Sequence, residues 1–485
     1  MKRYLLIFLF SLYSLLTFGQ EVIAQFENSL AKNDWGIKDI VPIVNQKNGN
    51  ISIFIADAKK VYAYHLNDLF EVEDKMVVED KARKYKLIIG NSIADNGDYR
   101  IFLSNNKKDE FATINFSFAG KTSDIKEFEL QSPKELFIQT ISHENRFYML
   151  SIAKKTSLLG LYIFDEQGNA TRRSIDFSNE NFIDEDGKQT TIYDLIVNTQ
   201  GFGTNADITK IDEDNPNTIE STSEFTKFYI RNNKAVFTFD QNKDITQLIS
   251  FDINTFTTEA KQFAKPLPNI KANKKKTNSY IYGDHIFMLS STDEIVVFTV
   301  NDFATGNLIK EYSATENDSI TFKNSPIIQV GGFYDGYREM EKTKKFIRKI
   351  NSGDVGISIY RFDDNYQVTL GGKLEVKASG GGMMMGMPGV GIGSFGAVTV
   401  YFNPTYFAYN SYTNTKSTYI ECLFNTNFDH LEGEPKDNVF DKIHDFEEAQ
   451  YISEKATTIF KYKDVFILGN LILEGNLYRL RKFND

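Results

Sequence analysis

Two stretches of this 485-residue chain hold side chains whose types and spacing suit chemistry. In the first, Asp184-Glu185-Asp186-Gly187 sets hard oxygen ligands at alternate positions before a glycine turn, which is what calcium chelation needs. The full loop pattern is missing: Phe182 stands in place of the first ligand and Tyr193 in place of the closing glutamate. Asp184 and Asp186 are therefore calcium candidates set against a plain solvated acidic loop, which also carries Asp207, Asp212, Glu213 and Asp214. No other cofactor is expected.

The second stretch, KASGGGMMMGMPGVGIGSFGAVTVYFNPTYFAYNSYTNTKSTYIECLF from Lys377, sets Met383, Met384, Met385 and Met387 among glycines. Thioethers bind Cu(I), but histidines usually share such sites and none lies nearer than His430. Glycine leaves the backbone free and methionine is soft and adaptable, so the favoured reading is a contact loop for a partner protein, centred on these four methionines and Phe395. Gly391 to Gly396 formally matches GxGxxG, a fingerprint that has meaning only between a strand and a helix N-terminus. Downstream, Tyr406, Tyr409 and Tyr412 stand among Asn and Thr. They suit partner contact, stacking on sugar rings, or one packed face of a β-hairpin.

Catalytic signatures are missing. His65, His143, His285, His430 and His444 are scattered without HExxH spacing, GxSxG does not occur, and 65 acids give no basis for choosing a glycosidase pair. Cys422 has Glu421 beside it and apolar neighbours Ile420, Leu423 and Phe424, and reads as a buried thiol. A polysaccharide-degrading site lining a channel would leave no local motif, so the sequence offers no support for an enzyme without closing that alternative.

The elements that position these residues show as a repeat. An apolar strand, a polar turn and an alternating strand recur as ISIFIADAKKVYAYHLNDLFEV from Ile51 and YRIFLSNNKKDEFATINFSFAGKTSD from Tyr99. Further copies start at Arg146, Ala235, His285, Gly356 and Val465. Each reads as a hairpin around turns such as Asp57-Ala58-Lys59-Lys60 and Asp165-Glu166-Gln167-Gly168. Uninterrupted starts (51 to 99, 99 to 146, 235 to 285) are spaced by the length of one four-stranded blade. Lys84 to Gly90, Glu135 to Ile141 and Phe225 to Arg231 are candidate innermost strands. The pattern resembles an exported bacterial β-propeller of a divergent, uncharacterised family, without WD, kelch or YWTD signatures. It implies an all-β fold of about seven four-stranded blades, with six or eight blades or a β-sandwich array as alternatives. The single domain would span 21–485 with insertions at 178–223 and 377–417, and the segment from Val22 to Val44 is expected to close the ring on the last blade.

Residues 1–20 read as a signal peptide: Lys2 and Arg3, an apolar run from Tyr4 to Phe18, then Gly19 before Gln20. That run is short for a span of ~20 residues, and an uncleaved anchor is the alternative. No cysteine follows it, so an exported, periplasmic or surface protein that is not a lipoprotein is expected, with no later transmembrane segment. One cysteine allows no intrachain disulfide, so core burial must hold the chain together. The net charge of −10 argues against nucleic acid. Lys274 to Lys276 read as part of a solvated connector. The expected function is a non-catalytic binding or scaffold module of the bacterial envelope that contacts an envelope or outer-membrane protein; the alternative is a polysaccharide-binding or polysaccharide-degrading propeller, with a glycan as ligand.

Overall fold

A computed structural model describes residues 20–28, 39–129, 134–198, 205, 206, 208–268, 275–331, 336–374, 403–413, 416–450, 452, 457–472 and 474–484. Met383, Met384, Met385, Met387 and Phe395, the GxGxxG stretch and residues 1–19 lie outside them.

The repeats fold as antiparallel sheets in which successive strands pair in order. Blade 1 runs Asp39–Val44, Ile51–Ala56, Val61–Leu66, Val72–Val78. Blade 2 runs from Leu87–Ile93 to Thr122–Phe128, and blade 3 from Glu135–His143 to Ala170–Asp176. Blade 4 runs from Thr226–Arg231 to Thr258–Ala264, and blade 5 from Lys276–Tyr282 to Leu308–Thr315. Sequence follows position within each blade. Ile51–Ala56 reads ISIFIA and is buried on both faces between neighbouring sheets, whereas the outermost Thr122–Phe128 reads TSDIKEF and is almost wholly exposed. The turns are built as their side chains dictate: Asp57 Oδ1 accepts from the Lys59 and Lys60 amides at 2.7 Å each, and Asp165 Oδ1 accepts from the Asn169 amide at 2.7 Å.

From blade 7 through blade 1 and on to blade 6, each sheet packs on the next through apolar side chains. Phe54 of blade 1 lies 5.0 Å from Phe116 of blade 2, and Phe102 of blade 2 stacks on Phe147 of blade 3 at 3.8 Å. Gly90 makes that stack feasible, because a Cβ there would come within 2.0 Å of the Phe147 ring. Blade 7 consists of Thr457–Tyr462, Val465–Ile472 and Leu477–Phe483, and takes its outermost strand, Val22–Glu27, from the other end of the chain. Asn28 and Asn476 fasten this closure through reciprocal amide-to-carbonyl bonds of 2.8–3.1 Å. The sheets form a ring: blade 7 packs on blade 1, so the fold is a β-propeller with seven large sheets among the described residues.

Three expectations need correction. Only Val22–Glu27 closes the ring; Asp39–Val44 is blade 1's own inner strand, its face committed to the core. The copy from Gly356 supplies the first two strands of blade 6, Val355–Phe362 and Asn365–Lys373, where the other copies supply the second and third. Its outer strands, Ile327–Gln329 and Arg338–Met340, come from upstream sequence and pair onto Ser417–Phe424. The lysine run is not a solvated connector, since Lys275 is 3 % exposed with its ammonium 2.7 Å from Asp244, and Lys276 opens a strand.

Candidate functional site

The two interruptions of the repeat have different fates. In the first, Phe182–Ile183 and Gln189–Thr190 form a small hairpin whose turn uses the acidic run: Asp184 Oδ1 accepts from the Asp186 and Lys188 amides at 3.0 and 2.8 Å. Lys188 Nζ lies 3.0 Å from Asp186. Among the described residues no three His, Cys, Asp or Glu side chains converge as a metal site. Helix α1 (Ile192–Ile196) follows, capped by the Thr191 hydroxyl.

Of the remainder of this insertion, the described residues from 208 to 222 run through the middle of the ring. Asn205–Ala206 contacts the inner strand of blade 3, and Thr209–Lys210 pairs in parallel with that of blade 4. Glu213 binds Arg231 of blade 4 and accepts from the Gly283 amide at 2.9 Å. Asp214, next in sequence, lies 3.6 Å from Lys461 on the inner strand of blade 7. Adjacent side chains thus reach blades that are not neighbours, so the segment crosses the axis. Asn217 donates to Tyr280 of blade 5 at 3.0 Å and accepts from Ser358 of blade 6 at 2.5 Å, and helix α2 (Ile219–Thr222) packs on Val355–Phe362. The chain's own residues fill the place where propellers commonly hold a ligand.

Beside the channel, blades 4 and 5 share a buried ionic cluster. Asp240 lies 2.9 Å from Lys227 and 3.1 Å from Lys265, and all three side chains are fully buried. Thr246 and Ser279 donate to the same carboxylate at 2.7 and 2.9 Å, and Lys227 also donates to Asn278. Burial opposes the Asp240 charge, yet the two lysines and two hydroxyls outweigh it and hold the carboxyl far below the usual range.

The second interruption ends in helices, so the β-hairpin that was one of the readings of its tyrosines does not form. After α3 (Thr343–Ile350) come α4 (Pro404–Thr413) and α5 (Val439–Gln450), which lie together against blade 7. Pro404 presets the first helical turn and Asn403 Oδ1 accepts from the Tyr406 amide at 3.0 Å, so helix capping overrides the β-propensity of the tyrosines. Helix α5 begins with a reciprocal cap: the Phe440 amide donates to Asn438 Oδ1 at 2.8 Å and the Asn438 amide to Asp441 Oδ2 at 2.8 Å. Val439, Phe440 and Ile443 are buried with Ile459, Phe466, Leu468 and Phe483 of blade 7. On the other side, Lys436 of the segment entering α5 exchanges hydrogen bonds with Gln367 of blade 6. The helices are a wedge between blades 6 and 7.

A cleft of about 390 Å³ opens between α4 and α5. Tyr406 and Tyr409 line it with Asn410 and Thr413; His444, Glu447 and Glu448 face them, with Ile452 and Thr457 at the end. The Tyr409 hydroxyl donates to Glu447, and His444 lies 3.4 Å from Glu448. Tyr412 is turned away into the wedge, donating to Asp441 at 2.6 Å, and burial pushes its hydroxyl pKa well up. Of the eight residues expected at a contact site, the structure brings Tyr406 and Tyr409 to one cleft and shows Tyr412 as an internal brace. The cleft's acids escaped the sequence analysis because they lie on α5, about forty residues downstream of the tyrosines; the Asn438/Asp441 capping pair was the available signal.

The other reactive groups are dispersed. His65 stacks on Phe118, His143 bonds Asn233 at 2.5 Å, and His430 bonds Asn324 at 3.0 Å. Cys422 is fully buried and its thiol pKa is raised well above normal by burial. Among the described residues no helix is long and apolar enough to cross a membrane.

No family model matches the chain, and no curated protein does. Among solved structures, the chain is similar to the Dos1 propeller at 10 % identity over 96 % of both chains, TM-score 0.30. It is also similar to the Nup133 β-propeller domain of Vanderwaltozyma polyspora at 8 % identity over 91 % of this chain and 92 % of that one, TM-score 0.32. AztD from Citrobacter koseri matches at 10 % identity over 56 % of this chain and 71 % of that one, TM-score 0.26. These likenesses are too distant to carry argument, and sheet order and closure establish the fold.

Proposed function

We propose that the protein is a non-catalytic binding module of the bacterial cell envelope, exported by the leader at residues 1–20, and that it holds a partner protein at the wedge between blades 6 and 7. The observation that carries this reading is the cleft between α4 and α5. It is concave and has aromatic and carboxylate walls carried on two helices packed against blade 7. The Gly/Met-rich insertion acts with it: Leu374 is held by the Lys416 carbonyl at 2.8 Å and Asn403 by Ile459 at 2.9 Å, so both ends of the insertion are fixed beside the wedge. By their chemistry Met383, Met384, Met385, Met387 and Phe395 suit adaptable apolar contact with a partner. The occupied channel favours a rim surface over a channel ligand.

A photo-crosslinking residue at Tyr406, with a control at exposed Leu308 on blade 5, tests this in the native envelope. One envelope protein trapped at position 406, absent from 308 and lost when residues 380–396 are deleted, supports the reading. Equal labelling at both positions contradicts it. The tyrosine faces and amides of the cleft also suit a polysaccharide, and a glycan-array hit abolished by Tyr406→Ala would transfer the site to that ligand class.

A further inference from the structure

The turns between the second and third strands of blades 1, 2 and 3 lie on one face of the ring, because the strands of each sheet pair in order and the sheets repeat around the axis. These turns share a lysine pair: Lys59-Lys60, Lys107-Lys108 and Lys154-Lys155. The connection from blade 1 to blade 2 runs between the first two turns and adds Arg83 and Lys86 to the same surface: the Lys81 amide donates to the Lys59 carbonyl at 2.9 Å and the Lys86 amide to the Ser104 carbonyl at 3.1 Å. Two lysines are neutralised locally, Lys60 by Glu79, and Lys84 by Glu110 at 2.7 Å and Glu127 at 3.3 Å. Lys59, Arg83, Lys86, Lys107, Lys154 and Lys155 are exposed and pair with no acid among the described residues. Lys108 is half-buried, and burial pulls its pKa down to about 8 with no carboxylate opposing. Of the acids left on this surface, Asp57 accepts from the Lys59 and Lys60 amides and Asp109 from the Asn105 side chain at 2.6 Å, while Asp80 and Glu129 are exposed. Beyond blade 3 the acidic turn at Asp184 bounds the patch, held to the equivalent turn of blade 4 by Asn242 at 2.9 Å. The opposite face has the reverse character: its turns Ala94-Asp95-Asn96-Gly97-Asp98 and Asp165-Glu166-Gln167-Gly168-Asn169 carry acids and no lysine, and Lys47 there is paired with Asp95 at 2.5 Å.

We propose that this face of blades 1–3 seats the protein on an anionic membrane surface, with the ammonium groups of the turns against lipid phosphates. Equivalent turns of successive blades end side by side, so their cations address a plane of charge and do not encircle a single anion. A chain of net charge −10 is repelled as a whole by such a surface. Unpaired lysines on one face and acids on the other give it one orientation in which it is attracted. None of the large apolar side chains exposed among the described residues, such as Leu69 and Leu308, stands on these turns, so the attraction is electrostatic and is screened by salt. The surface lies outside the wedge between blades 6 and 7 and stands whatever the wedge holds.

Co-sedimentation of residues 20–485, which contain every described blade, with lipid vesicles reads this directly. Vesicles of phosphatidylcholine with about one quarter phosphatidylglycerol should pellet the protein at least about tenfold better than phosphatidylcholine alone at low salt, and the difference should vanish at about 0.5 M salt. The variant Lys107→Gln/Lys108→Gln/Lys154→Gln/Lys155→Gln should lose at least about tenfold in binding to the anionic vesicles. A charge-matched control away from the patch, Lys47→Gln/Lys75→Gln/Lys121→Gln/Lys463→Gln, should bind like the wild type. Equal pelleting with both vesicle types, salt-independent pelleting, or equal behaviour of the two folded variants overturns the proposal. Capture by soluble dextran sulfate with no vesicle binding also overturns it, in favour of a polyanionic polymer. The comparison of vesicles and salt in the wild type decides the matter even where a variant does not fold.

Discussion

The junction between blades 4 and 5 holds a fully buried carboxylate and the junction between blades 6 and 7 a half-buried one, and the surroundings give the two acids opposite character. Asp240 has two lysines and two hydroxyls within 3.1 Å, so its charge is fixed and its pKa lies below the usual range. Glu421 has one neutral amide and two facing carboxylates, and its pKa rises to about 7. In the first junction sheet packs on sheet beside a channel filled by the chain itself. In the second, helices stand in for sheet contact and leave an open cleft. The charge at one junction is thus fixed, and that at the other adjusts with pH.

Breaking the fastened side should have the largest effect. Asp240→Ala leaves two buried lysines uncompensated and should cost about 3–5 kcal/mol, read as a fall in the denaturant midpoint or loss of soluble protein. Gly90→Ala sharpens the point that ordinary junctions are tightly filled. Its methyl would meet the Phe147 ring, and overpacking should cost about 1–3 kcal/mol in a thermal melt. Two carboxyls raised by burial, one on blade 1 and one at this second junction, should respond to pH instead. Asp39, raised by burial to about 6, and Glu421, raised to about 7, both make the folded state hold protons more tightly, so stability should decline as pH climbs from about 4 to 7. Equilibrium unfolding across that range checks the sign. Tyr406→Ala, at the rim of the cleft, should move stability by less than about 0.5 kcal/mol while abolishing the partner crosslink.

Much of the ring was legible in the sequence because each hairpin carries its own period-2 pattern and turn chemistry, as from Ile51 and from Arg146. Blade 6 was harder to read, since its outer strands at 327–340 precede the inner ones and no local pattern announces that long-range pairing. At Tyr406–Tyr412 the tyrosines left several readings open, and Asn403-Pro404, a helix start, is the local signal that decides among them. The buried cluster at Lys227, Asp240 and Lys265 left no trace in sequence, since three charges far apart in the chain look like surface residues until the fold assembles them.

The most direct test compares Asp240→Asn and Glu421→Gln by thermal unfolding at pH 6 and pH 8. Asp240→Asn should destabilise the protein strongly at both. Glu421→Gln, which stands for the protonated acid, should stabilise the protein at both, and by about 1 kcal/mol more at pH 8 than at pH 6. A Glu421→Gln variant that is equally destabilised at both pH values, or an Asp240→Asn variant as stable as the wild type, would contradict the contrast between a fastened and an adjustable junction.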